Sequence, residues 1–186
     1  SDWRVLECKF RLAKSCVPPK LPPSIWPRLR RARVFGMKLL ATDIIPVAPD
    51  FILENGVEMT SLEDLMRRSD FISVNCDLNP TSFHLINGQR LKQIKPSAVL
   101  INTARGPIVE EAALIEALRA GQLAGAALDV FEVEPLPADS PLMKMDNVML
   151  APHNANSSPA AWERVHWNTI KNLLDGLGLD SSVMRD

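Results

Sequence analysis

Several absences narrow the class of this chain before any motif is considered. The three cysteines, Cys8, Cys16 and Cys76, are odd in number and scattered, which argues against a disulfide framework and offers no metal-ligand spacing. Reduced thiols and no metal site are the expectation. No apolar run approaches the ~20 residues a membrane helix needs, so no membrane partner is expected. The opening Ser1-Asp2-Trp3-Arg4-Val5-Leu6-Glu7 lacks the basic-then-apolar layout of a secretory leader and has acids where a transit peptide avoids them. The cytoplasm is the expected compartment. Glycine is scarce too, with eight residues, the first of them Gly36.

The remaining composition, 46% hydrophobic and 23% charged over 186 residues, is that of an ordinary globular chain with one main domain and one sizeable core. A net charge of -1 conceals an asymmetry. Residues 1–35 hold nine Lys/Arg against Asp2 and Glu7, a local +7 that leaves -8 for the rest, together with five of the fifteen prolines and no glycine. Such a break marks a boundary near residue 30. It sets residues 1–29 apart as an atypical segment without expected order, its composition pointing to a shifted reading frame or a truncated gene. The basic run from Arg28 to Arg33 has no aromatic stacking set, zinc motif or recognition helix beside it, so it reads as a solvated helix end with no nucleic-acid partner.

From Gly36 onward, short apolar runs alternate with helical patterns, the signature of βα units around a parallel sheet buried on both faces. Strands are predicted over 37–42, 71–75, 98–102, 126–130 and 148–151. Ser61-Leu62-Glu63-Asp64 reads as a capped helix start, 110–120 as a helix stopped by Gly121, and 89–94 as a short helix closed by Pro96. The last periodic segment, 159–177, places Trp162, Val165, Thr169 and Leu173 at three- and four-residue steps, a face expected to pack on the domain.

Four pieces of chemistry each follow a predicted strand: Leu40-Ala41-Thr42-Asp43, Ile101-Asn102-Thr103-Ala104-Arg105-Gly106, Ala127-Leu128-Asp129-Val130-Phe131-Glu132-Val133-Glu134-Pro135 and Ala151-Pro152-His153. Open α/β sheets bind ligands beyond the carboxyl ends of their strands, so these pieces converge on one crevice. Arg105 offers a planar fork that grips a carboxylate through two parallel hydrogen bonds. A carboxylate such as Glu134 near His153 favours the protonated ring and fixes its tautomer, which suits a general acid–base. Asp43 can accept hydrogen bonds from adenosine ribose hydroxyls and repels a 2′-phosphate, favouring NAD over NADP. His84 and His166 read as paired or solvated residues, and Cys76 as a small buried hydrophobe.

This set of motifs resembles the D-isomer-specific 2-hydroxyacid dehydrogenases, the family of D-lactate, glycerate and D-3-phosphoglycerate dehydrogenases, over about residues 30–179. The resemblance implies a Rossmann-like doubly wound parallel sheet, NAD as cofactor, a small 2-hydroxy or 2-keto acid as substrate, and a homodimer. It implies that Arg105 binds the substrate carboxylate while His153, with Glu134, handles the hydroxyl proton. On the cofactor side it assigns Asp43, the Asn75-Cys76-Asp77 loop, Thr103, Ala104 and Asp129, with Arg105 and His153 at the reacting end. The related formate dehydrogenases place glutamine where Glu134 stands, so a carboxylate there points to hydroxyacid chemistry.

The Asn75-Cys76-Asp77 loop departs from the His-Val-Pro usual in the family, and two larger features depart as well. The glycines of the phosphate loop map onto about Lys20, Pro22 and Ile25, whose side chains would block the backbone from a pyrophosphate, and Pro22 also lacks the amide donor. The first strand and glycine-rich loop therefore count as missing, with residues 3–10 the segment available to fill the strand's place. The substrate domain has no counterpart either. Two other readings stay open beside the enzyme. One is a nucleotide-sensing, partner-binding protein like the C-terminal-binding protein corepressors, whose pattern around Asn75-Cys76-Asp77-Leu78-Asn79 is similar. The other is a dehydrogenase fragment without activity of its own.

Overall fold

The structure, a computed structural model, describes residues 4–9, 31–44, 46–155 and 157–179. Seven strands form one sheet: β1 (Arg4–Lys9), β2 (Lys38–Asp43), β3 (Val57–Met59), β4 (Phe71–Val74), β5 (Val99–Asn102), β6 (Gly125–Leu128) and β7 (Val148–Leu150). Their order is β3-β2-β1-β4-β5-β6-β7, and every pairing is parallel. Parallel neighbours need crossovers. These include α1 (Pro49–Asn55), α2 (Leu62–Arg68), α3 (Gly88–Leu91) and α4 (Glu111–Arg119). The doubly wound parallel sheet expected from the motifs is thus present.

The central position is filled. Leaving the slot between β2 and β4 empty would strand the facing backbone N–H and C=O groups of both neighbours. Arg4–Lys9 occupies it, in register with Lys38–Asp43 on one side and Phe71–Val74 on the other. The first strand, counted as missing from the family pattern, therefore has a replacement drawn from the atypical segment. The positions that stand in for the glycine loop, Lys20, Pro22 and Ile25, lie outside the described residues.

Local chemistry explains where the helices start and stop. The Ser61 side chain accepts from the Asp64 N–H at 3.1 Å, with acids in the first turn of α2 and Arg67 and Arg68 in its last. Asn87 caps α3 in the same way through the Arg90 N–H. Gly36 ends the helical residues 31–34 at φ +72°, a conformation that costs little only without a Cβ. The elements absent from the sequence reading, α1 and β3, are short, and Pro49 at the start of α1 disguises it as a loop.

The strands are buried on alternating faces. Leu40 joins the main core with Leu65, Met66, Ile72, Leu100, Ile108 and Leu114, whereas Leu39 packs with Val57 in a second, smaller cluster. Successive strand residues point to opposite faces, so the two clusters lie on opposite sides of the sheet. Among the described residues no helix is long and apolar enough to cross a membrane.

The chain divides into two compact units, residues 1–153 and 154–186. The second contains α5 (Pro159–Gly176), capped by Ser158, whose side chain accepts from the Ala161 N–H. None of its residues is buried, and Trp162, Val165 and Leu173 of its apolar stripe are exposed.

Candidate active site

Parallel strands bring all their carboxyl ends to one edge of the sheet. The chain winds away from β1 in both directions, β2 on one side and β4 on the other, which makes the carboxyl end of β1 the switch point where such sheets open a crevice. Asp43 ends β2, Asn75 follows β4, Thr103 follows β5, Asp129 follows β6 and Ala151 follows β7. The residues singled out from the sequence thus share this edge.

The tightest constellation joins the loops after β6 and β7. Glu134 receives the Phe131 N–H on one carboxylate oxygen at 3.0 Å, and its other oxygen meets His153 Nδ1 at 2.8 Å. The Phe131 amide first, and the His153 ring second, hold the Glu134 carboxyl below its usual range. Glu134 therefore stays an anion at neutral pH. It fixes Nδ1 as the protonated nitrogen and leaves Nε2, across the ring, as the position for proton exchange. His153 is held at φ +55°, a left-handed conformation rarely adopted by a residue with a side chain. Such strain persists where surrounding structure over-determines it. Here the Ala151 N–H bonded to Leu128 O at 2.9 Å holds the approach from β7, and Glu134 holds the ring.

Arg105 stands at the end of the β5 loop. The buried Asn102 side chain bridges that loop, donating to Arg105 O at 3.0 Å and accepting from the Ala104 N–H at 3.1 Å. A short 3₁₀ turn, Gly106–Ile108, follows at once. The guanidinium donates to Ala104 O at 2.6 Å and remains exposed, and its charge contributes to lowering Glu134. Arg105 and Glu134 thereby belong to one electrostatic site.

Gly106 is what allows these two loops to touch. A Cβ there would sit 1.9 Å from both the carbonyl carbon and oxygen of Phe131 and 2.5 Å from the Glu132 nitrogen. Those are backbone atoms, so the collision can be relieved only by moving the loop that carries Glu134. Gly106→Ala is expected to lower Tm by about 5–10 °C, an overpacking effect of a few kcal/mol. Thermal denaturation followed by circular dichroism checks this, and an unchanged Tm would contradict the close packing.

The residues expected on the cofactor side divide by accessibility. Asp43, Asn75, Asp77, Thr103 and Ala104 are partly exposed. Asn75 is oriented by its side-chain bonds to Ser73 O and Oγ, and Asp77 O accepts from Ser82 Oγ at 2.7 Å. The Cys76 side chain belongs instead to the main core. Burial pushes its thiol up to about 12, so it is a neutral filler. Asp129 is nearly buried, and its N–H bonds Asn102 O at 3.0 Å, extending the β5–β6 pairing into the loop.

Beside the Glu134–His153 pair opens a cavity of about 550 Å³, lined by Phe131, Leu136, Met143 and Leu150 among apolar groups. Among the described residues, its ionisable lining groups are Glu134 and His153 themselves. An apolar wall beside an ion pair reduces screening by water and strengthens its electrostatics. Among the described residues no group of three or more His, Cys, Asp or Glu side chains could hold a metal ion.

Two contributors were not singled out from the sequence as site residues. Asn102 read simply as the end of a strand, although an Asn followed two residues on by a loop amide is a recognisable Asx turn. Gly106, next to Arg105, carried the general signal of a glycine allowing close backbone approach.

Comparison with known proteins gives the family and the fold. Residues 28–155 match the family described as D-isomer specific 2-hydroxyacid dehydrogenase, NAD binding domain. A glyoxylate reductase of Korarchaeum cryptofilum is 45% identical over 145 residues, covering 78% of this chain and 43% of the relative, so the chain spans less than half the length of that protein. Among solved structures, the apo D-mandelate dehydrogenase of Rhodotorula graminis superposes with a TM-score of 0.76 at 32% identity, over 93% of this chain and 48% of its own. A D-isomer specific 2-hydroxyacid dehydrogenase from Xanthobacter autotrophicus, solved with NADPH and MES, has a TM-score of 0.73 at 31% identity, over 95% of this chain and 68% of its own.

Proposed function

Because the chain belongs to the D-isomer-specific 2-hydroxyacid dehydrogenase family, of which it carries the NAD-binding domain, we propose that it serves the NAD-linked interconversion of a D-2-hydroxyacid and its 2-keto acid. The observation that carries this reading is the 2.8 Å bond between His153 Nδ1 and a Glu134 carboxylate already held as an anion. An imidazole with one nitrogen fixed by a carboxylate and the other presented to a cleft is built to move a proton.

In the direction of reduction, Arg105 grips the carboxylate of the 2-keto acid and orients its carbonyl. The protonated His153 ring gives its Nε2 proton to the carbonyl oxygen as negative charge develops there, and Glu134 stabilises the imidazolium before transfer. NAD, when bound in its reduced form, supplies the hydride that arrives at substrate C2. Substrate thus gains a hydride and a proton, and His153 recovers its proton from water. Asp43, Thr103, Ala104, Asp129 and the backbone around Asn75, Cys76 and Asp77 would hold the cofactor along the switch-point crevice.

Two measurements test this reading. The first is consumption of NADH by the purified chain with glyoxylate, hydroxypyruvate and phosphohydroxypyruvate. Turnover with at least one of them is expected, and none with any would count against the assignment. The second concerns cofactor choice. The Asp43 carboxylate would accept from ribose hydroxyls and repel a 2′-phosphate, so NADH is expected to bind tighter than NADPH. Asp43→Ser should shrink that preference by about tenfold, the worth of ~1.4 kcal/mol of charge and hydrogen bonding. Equal affinities in the parent chain would remove Asp43 from this role. A homodimer belongs to the same reading and is checked by sedimentation.

A further inference from the structure

Two described residues other than glycine have a positive φ, His153 and His84. The first belongs to the site already assigned. The second lies outside it by sequence, 69 residues earlier, yet its side chain reaches the same catalytic loop. His84 Nε2 meets Glu132 Oε1 at 2.9 Å, two residues before Glu134. The same Glu132 oxygen accepts the Glu111 N–H at 3.0 Å, and a Glu111 oxygen accepts the Glu132 N–H at 3.1 Å. This reciprocal pair ties the loop to the N-terminus of α4, where carboxylates are favoured by the exposed amides of the first turn.

Two neighbouring carboxylates need a compensating donor, and His84 is placed to supply it. Burial lifts the Glu111 carboxyl above its usual range, opposed by its bond from the Glu132 N–H. The backbone of His84 is itself anchored where Arg105 is anchored: its N–H donates to Pro107 O at 2.8 Å, and the Ile86 N–H donates to Ile108 O at 3.1 Å. The Phe83 ring stacks on the imidazole at 4.0 Å with 20° between planes, which limits its rotation. His84 therefore bridges the turn after Arg105 and the loop before Glu134.

We propose that His84 is a positioning residue for the proton-transfer pair, acting through Glu132 to hold the Phe131–Glu134 loop at the distance that aims Glu134 at His153. The inference rests on the reading of Glu134 and His153 as the proton-transfer machinery. It assigns His84 no contact with substrate or cofactor. Its effect is geometric: loosening Glu132 lets the loop drift, and catalytic geometry is sensitive to displacements well below 1 Å.

The test compares His84→Ala with His84→Gln, which keeps an N–H donor for Glu132 but no charge. His84→Ala is expected to lower kcat about tenfold, while KM for the keto acid and Kd for NADH stay within about twofold. His84→Gln should restore kcat to within about threefold of the parent. A parallel readout needs no turnover. In carbon-13 spectra of glutamate-labelled chain, the Glu134 carboxyl of His84→Ala should titrate closer to an ordinary glutamate than it does in the parent, because its bonds to Phe131 and His153 lengthen. An unchanged Glu134 titration, an unchanged kcat, or a fall in NADH affinity that matches the fall in kcat would overturn the positioning role. If the parent turns over no 2-keto acid, the dehydrogenase reading fails by itself, and the Glu134 titration still decides whether His84 sets the geometry of the pair.

Discussion

Replacing His153 by asparagine is expected to lower kcat for 2-keto acid reduction by about 10²–10⁴-fold, the usual contribution of a positioned general acid, while Kd for NADH changes little. The expectation follows from what His153 does and does not touch. Its Nδ1 is bound to Glu134 at 2.8 Å, and with Glu134 it forms the polar part of the wall of a mainly apolar cavity. Asparagine can keep a hydrogen bond to Glu134 but cannot cycle a proton near neutral pH. The loss should therefore fall on kcat, the pattern of an interaction made in the transition state. Steady-state kinetics with an independent NADH titration separates the two. A loss confined to KM would assign His153 to binding instead.

The same pair dictates an acid limit. The Glu134 carboxyl is held below its ordinary value of 4.5, chiefly by the Phe131 N–H and then by His153. For a carboxylate whose folded value is depressed, the favourable interaction is fully present above the unfolded value and is lost as pH falls through the folded one. Loss of the ion pair by Glu134 protonation is accordingly expected only below pH 4.5.

The second large effect is expected at Arg105. Removing its guanidinium in Arg105→Ala should reduce kcat/KM by about 10²-fold, since two charge-assisted hydrogen bonds to a substrate carboxylate contribute on the order of 3 kcal/mol together. Arg105→Lys should recover only part of this, because an ammonium supplies charge without the planar fork. The loop itself should survive both changes. Asn102 holds it through the backbone of Ala104 and Arg105, and Gly106 packs on Phe131 without using the Arg105 side chain. Equal kcat/KM for the arginine and alanine chains would mean that the carboxylate is held elsewhere. A drop in Tm by several degrees would mean that the loop depends on the side chain.

Much of this architecture could be read from residue order. Strands at 37–42, 71–75 and 98–102 stand within a residue or two of β2, β4 and β5, because runs buried on both faces of a parallel sheet leave a continuous apolar trace. Arg105, Glu134 and His153 stand out in the sequence as polar residues in the loops that follow such runs. What escaped was the part fixed by tertiary contact. Residues 3–10 were legible only as a candidate for the central slot; Arg4–Lys9 pairs with β2 and β4 although Arg4, Glu7 and Lys9 break any simple apolar pattern, since the unpaired edges of its neighbours supply the pairing. The strand reading of 126–130 ran too far: β6 ends at Leu128, one further backbone bond runs from the Asp129 N–H to Asn102 O, and Asp129 and Val130 begin the loop that carries Glu134. Cys76 reads both as a cofactor-side loop residue and as a small buried hydrophobe, and its side chain takes the second place, in the core. The link from His84 to Glu132 spans 48 residues, a separation that no local spacing rule can reach. The stretch around Lys20, Pro22 and Ile25, where the family pattern places its glycines, is the segment on which cofactor affinity depends most strongly in such folds.

The most direct test is therefore a fluorescence titration of the purified chain with NADH. Saturable binding, with Asp43 at the end of β2 in place to meet the adenosine ribose, is the expected result and would show that the switch-point crevice holds the cofactor. Absence of saturable binding would contradict the account, because the His153–Glu134 pair would then have no hydride chemistry to serve.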